Sequence, residues 1–156
     1  MGSRPGLTVI GLDSATLAVA EPLMAEGHLP ALKRLLEDGS GGVLRSTTHP
    51  LTPHAWATLV TGVNAGRHGI WDFTERDESG YRLRFVNGSF RRAPAVWDRL
   101  TAKGRRSGLV GIPFPWPAPQ IEGFSVAGFD AAAREAARAP PGQYVRVRSA
   151  WGPDQA

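Results

Sequence analysis

Short apolar runs alternate along this chain with segments of helical spacing, and that alternation predicts an α/β arrangement. Leu7 to Leu12 is an apolar run that ends in Gly-Leu-Asp, which predicts a buried strand with Asp13 at its tip. A helical segment is expected from Ser14 through Ala25, broken or restarted at Pro22 and stopped by Gly27. Pro30 opens a further helix, because proline suits the first helical position. Leu32, Leu35 and Leu36 sit at i, i+3 and i+4 and give that helix one apolar face, with Gly39 as its C-terminal cap.

Gly41 to Ser46 reads as a strand and Thr47-Thr48-His49-Pro50 as a loop. Pro53 marks the next helix, with Thr52 as its N-cap, an apolar face of Trp56, Leu59, Val60 and Val63, and Gly62 at its end. Asn64 to Gly69 is turn-rich, and Tyr81 to Val86 predicts a strand. Ala93 to Lys103 predicts a helix opened by Pro94 and closed by Gly104. Ser107 to Ile112 and Phe124 to Phe129 predict strands, joined through an extended loop in which Pro113, Pro115, Pro117 and Pro119 alternate with other residues. Together these elements predict a largely parallel sheet flanked by helices. Residues 1–6 are expected to be disordered, 7–130 to form the folded domain, and 131–156 to be weakly structured apart from a short helix over Ala131–Ala139. The last firm element is a strand with no further sheet layer after it, so the chain reads as the N-terminal portion of a larger domain.

Composition narrows the chemistry. The 156 residues are enough for one domain with a modest core, and 42% are hydrophobic, so the chain should fold. There is no cysteine, which removes disulfides, thiolate catalysis and cysteine-held zinc. The net charge of +4 is carried mostly by scattered arginines; only Arg91-Arg92 and Arg105-Arg106 are adjacent. An anionic small substrate fits that scatter better than a nucleic acid. The first residues lack the apolar run of a signal peptide, and no apolar stretch is long enough to span a bilayer, so a cytoplasmic location without membrane contact is expected.

Two residues carry the candidate chemistry. Ligands gather at the carboxyl ends of strands in open α/β sheets, and Asp13 falls at such an end. The competing reading is that Asp13 caps the following helix. Thr52 at a helix start faces N–H groups that favour an anion, and a neighbouring metal turns such a hydroxyl into a nucleophile. Its competing reading is a simple N-cap. His49 and His54 flank Thr52 and read either as solvated loop residues or as substrate contacts. His28 reads as solvated, and His68 as a residue that fixes its loop by hydrogen bonding. No histidine pair has the i, i+4 spacing of a helical metal site. Trp56, Trp71, Phe73, Trp97 and Trp116 read as core or pocket wall.

Three segments in order resemble one family. They are Val9-Ile10-Gly11-Leu12-Asp13-Ser14-Ala15, then Thr52-Pro53-His54-Ala55-Trp56-Ala57-Thr58-Leu59-Val60-Thr61-Gly62, then His68-Gly69-Ile70. In combination they resemble the type I phosphodiesterase/nucleotide pyrophosphatase family of the alkaline phosphatase superfamily. Leu29-Pro30-Ala31-Leu32, Val96-Trp97-Asp98-Arg99-Leu100 and Pro113-Phe114-Pro115-Trp116-Pro117 are similar to its uncharacterised prokaryotic branch. The resemblance runs from about Leu7 to Asp130.

It implies an alkaline-phosphatase-like α/β core, incomplete at the C-terminus, and a hydrolase of small phosphate esters that uses two divalent metal ions, usually zinc. By position Asp13 matches a metal ligand, and Thr52 matches the nucleophile, which also touches that metal. His54, which flanks Thr52, and Phe73, as part of the pocket wall, are the candidate substrate contacts. Two departures stand out. Phe73 occupies the position where nucleotide pyrophosphatases usually carry an Asn that holds the phosphoryl oxygen, which weakens the nucleotide pyrophosphatase reading. The family's remaining Asp and His ligands belong to a C-terminal half not represented in these residues, so inactivity in isolation is expected. The alternatives are a truncated, non-catalytic binding or interaction domain, or a mutase or phosphatase of the same superfamily. A sulfatase is disfavoured, because Thr52-Pro53-His54-Ala55 stands in place of the Cys/Ser-x-Pro-x-Arg setting.

Overall fold

The computed structural model describes residues 6–114, 117–127 and 137–138. The chain divides into two compact units, Met1–Arg45 and Ser46–Ala156.

The first unit is a helical pair. Helix α1 spans Leu17–Ala25 and keeps Pro22 inside it, so the proline neither breaks nor restarts the helix. The helix starts three residues later than its pattern suggests, with Thr16 in extended conformation as N-cap. It ends in a Schellman arrangement. Gly27 takes φ +84°, its N–H bonds Met24 O at 3.2 Å, and the His28 N–H bonds Leu23 O at 2.8 Å. Helix α2, Pro30–Asp38, opens on its proline as expected. Gly39 follows it in extended rather than left-handed conformation. A glycine suits this position because a Cβ would lie 2.7 Å from Leu35 O. The expected leucine face is only half realised: Leu32 and Leu36 are half-buried, while Leu35 is exposed. Met24 from α1 is the buried residue of the pair.

The expected strands at Leu7–Leu12 and Gly41–Ser46 are not formed. Neither segment carries a strand ladder among the described residues, and their apolar side chains are bare, with Leu7 at 89% and Leu44 at 88% exposure. An apolar run records a demand for burial; a parallel strand also needs a partner strand and cover on its faces, and the run does not supply them.

The second unit holds the core. Helix α3 spans Thr52–Thr61 and ends at Gly62 with φ +70°, as its sequence suggests. Its buried residues are Pro53, His54, Ala57 and Thr61; of the predicted stripe Trp56, Val60 and Val63 are half-buried and Leu59 is 56% exposed. A one-turn helix α4, Ala65–His68, forms inside the predicted turn region and closes at Gly69 with φ +80°. Strands β1 (Thr74–Arg76) and β2 (Leu83–Phe85) form an antiparallel hairpin, of which only β2 was legible. Gly88–Phe90 is a 3-10 turn. Helix α5 is shorter than predicted, Val96–Thr101, and the Asp98 carboxylate accepts from the Ala95 N–H at 2.7 Å.

Strands β3 (Ser107–Ile112) and β4 (Gly123–Ala127) form where expected and pair in parallel. Gly111, at φ +65°, is the residue skipped in their register. A third strand, β5 (Ala137–Arg138), adds antiparallel to β4 where a helix was expected. Among the described residues there is thus one parallel pair in place of a large parallel sheet. The rest of the predicted Ala131–Ala139 helix, the end of the Phe124–Phe129 strand, Trp116, the expected disorder of residues 1–5 and the tail beyond 138 lie outside the described residues.

Two clusters make the core. Ala57, Ile70 and Val86 pack with Phe90. Ala95, Trp97 and Leu109 pack with Val60, Ile112 and Ile121, which ties α3 and α5 to β3.

Candidate functional site

The N-cap positions of both helices fall on other residues than expected. Thr16, not Asp13, is the N-cap of α1. Asp13 lies in a turn, where Ser14 takes φ +57° and its hydroxyl is 3.4 Å from Asp13 Oδ1. A left-handed serine is uncommon, and local strain of this kind concentrates at functional sites. Leu51, in extended conformation with φ −97° and ψ 142°, is the N-cap of α3, and its side chain has no oxygen to cap with. Thr52 is therefore the first helical residue, one place further in than predicted. Of the first three helical residues, Thr52 and His54 carry backbone N–H groups and Pro53 does not, while the Ala55 N–H already bonds Leu51 O at 2.9 Å. A helix start of this kind favours an anion.

His54 is not a solvated loop residue. It stands on the first turn of α3 with 5% exposure, because α3 turns that side toward the core. Its ring is surrounded by three others. His68 lies edge-on at 5.8 Å between centroids, Trp71 at 5.5 Å and His49 at 6.3 Å. His54 Nδ1 is buried with no hydrogen-bond partner among the described residues.

His68 fixes its loop as expected. The Ile70 N–H donates to His68 Nδ1 at 3.1 Å, so the ring proton sits on Nε2, which donates to Thr58 Oγ1 at 3.0 Å. Thr58 was not singled out in the sequence; a threonine one turn after His54 gives no pattern signal. His28 is exposed, 3.5 Å from Glu26.

The aromatic wall is partly as read. Trp71 is exposed beside His54, and Phe73 is exposed with its ring 6.0 Å from that of Phe114. Phe114 is buried and takes φ +58° just after β3, at the carboxyl end of the parallel pair. Nothing in its neighbourhood of the sequence signals that strain beyond the flanking prolines.

Burial lowers the His54 pKa from the usual 6.5, helped by charge repulsion from His49. Burial also lowers that of His68, helped by His54. Both rings are therefore neutral in the folded protein at pH 7. Below about pH 6.5 the unfolded chain takes up protons that the folded chain resists, so stability is full above that value and falls as pH drops through the lowered folded values. Thermal melts at about pH 7.5 and about pH 5.5 should show a lower midpoint in acid. His68→Gln should flatten that difference, and an unchanged difference in the variant would contradict the burial of a neutral His68.

The family model for type I phosphodiesterase / nucleotide pyrophosphatase matches residues 7–149. The chain belongs to the type I phosphodiesterase / nucleotide pyrophosphatase family. No curated protein and no solved structure matches the chain. Membership in this phosphodiesterase family makes hydrolase chemistry the activity class and gives the segments at Asp13, Thr52 and His68 their common context. The family's members are typically metal-dependent. Among the described residues no group of three or more His, Asp or Glu side chains is placed to hold an ion. A cavity of about 370 Å³ between α1 and α2, lined by Glu21, Met24, Lys33 and Leu36, includes none of the candidate residues.

Proposed function

We propose that this chain carries the nucleophile portion of a phosphoric ester hydrolase, with Thr52 as the attacking residue and a small phosphate ester as substrate. The observation that carries this reading is the position of Thr52 as first residue of α3, inside the family match. Attack would form a bond from Thr52 Oγ to phosphorus and break the bond from phosphorus to the leaving alcohol. Water would then release the second ester and restore the hydroxyl. The N–H groups of Thr52 and His54 lie at the positive end of the helix dipole, where negative phosphoryl oxygens are stabilised. Asp13 would serve as a metal ligand, and Phe73 with Trp71 would form an apolar wall for the substrate's organic group.

In this reading the 156 residues by themselves are not catalytic. Zinc titration tests this directly. The isolated chain should bind zinc weakly and should not turn over an aryl phosphodiester above background. Tight binding of two ions per chain would contradict the division of the site.

A further inference from the structure

We propose that His54 is a ligand-contact residue whose Nδ1 hydrogen-bonds an oxyanion seated against the first turn of α3, and that His68 and Thr58 position its ring. The proposal rests on the phosphoester reading above and adds a named atom to it. Nδ1 of His54 is buried without a partner among the described residues, in a side chain with 5% exposure on the first turn of a ten-residue helix. Buried polar atoms are almost always paired, and one that is not marks a place where a ligand or water completes the set. The other two histidines at this end of α3 differ from it. His68 has both ring nitrogens engaged, and His49 is exposed.

The surroundings of the ring say from which side a ligand arrives. The inner neighbour, His68, is fully buried and locked by Thr58 and by the Ile70 N–H. The other two neighbours, His49 and Trp71, are both exposed. These outer side chains can yield to a ligand, whereas the inner one holds. An oxyanion approaching there meets two features at once, the N–H groups of the first turn and an imidazole nitrogen able to donate when its proton is on Nδ1. Thr58 stands four residues after His54 on the same helix face, so the bond it receives from His68 fixes the ring against which His54 rests. Thr58 and His68 are thus positioning residues.

Nitrogen NMR of the full chain, labelled at histidine and titrated with inorganic phosphate, tests this. The His54 ring nitrogens should shift with saturation, while His68 keeps its proton on Nε2. His54→Asn, which retains an amide near the Nδ1 position, should hold phosphate affinity near that of the parent. His54→Phe should lose roughly 10- to 100-fold, the range for a hydrogen bond to a charged group. Thr58→Val should weaken phosphate binding and disturb the His68 proton signal, and Thr58→Ser should restore both. Phosphate that binds without moving the His54 signals overturns the proposal, as does binding unchanged in His54→Phe. Failure of the nucleophile reading is a separate result, because Thr52→Ala abolishes turnover under that reading and leaves the His54 response to phosphate in place.

Discussion

Replacing Thr52 with alanine should abolish any aryl phosphodiester hydrolysis by this protein, lowering kcat by roughly a thousandfold or more, about 4 kcal/mol of barrier. The size follows from the role. A residue that forms the covalent bond to phosphorus has no substitute within the first turn of α3: Leu51 before it and Pro53 after it carry no hydroxyl. Fold loss is not the expected cause. Thr52 is half-buried, and the α3 residues in the buried clusters are Ala57 and Val60, further along the helix. Alanine is also a good helix former at that place. Thr52→Ser should keep measurable activity. If Thr52→Ala retains parent turnover, the hydrolysis belongs to another group and the nucleophile assignment fails.

The second large effect is on stability. Trp97→Ala should cost about 3–5 kcal/mol, a large part of the ~5–15 kcal/mol that holds a domain together. Trp97 is 2% exposed and packs with Ala95 and Leu109, against which Val60, Ile112 and Ile121 close from α3, β3 and the loop before β4. The Arg91 guanidinium lies over the ring at 5.2 Å and reaches Asp98 at 3.1 Å, the same carboxylate that accepts from the Ala95 N–H. Removing the indole therefore opens a cavity and unseats a cation together. Trp97→Phe should cost much less. It keeps most of the packing and discards the indole N–H, which is buried without a partner among the described residues. Urea unfolding followed by circular dichroism measures both. A loss within about 1 kcal/mol for the alanine variant would show that this cluster is not the core.

The helices were the most legible part of the fold, for a local reason. Pro30 and Pro53 suit helix starts, and Gly27 and Gly62 suit left-handed helix ends, so four residues set most of the boundaries. Strands depend on partners elsewhere in the chain. Ser107–Ile112 found one in Gly123–Ala127, whereas Leu7–Leu12, equally apolar, has none among the described residues. No property of either segment by itself separates them. β1 was missed because Thr-Glu-Arg has no apolar alternation; it is a strand because β2 pairs with it.

The candidate site was legible in its chemistry and not in its surroundings. Asp13, Thr52 and the loop role of His68 follow from residue type and order. The burial of His54 does not, because it depends on which side α3 turns to Ile70 and Val86, and the apolar pattern pointed to the side of Leu59 instead. Thr58 became visible only through its bond to His68, ten residues away.

Trapping the covalent intermediate tests the central claim most directly. Active protein, mixed with a bis-aryl phosphodiester and quenched in acid during the steady state, should yield a peptide carrying on Thr52 the phosphoryl group with its one remaining aryl ester by mass spectrometry. That adduct should be missing from Thr52→Ala. Steady turnover with the adduct on another residue, or with none on Thr52 under conditions where the second step is slow, would contradict the assignment.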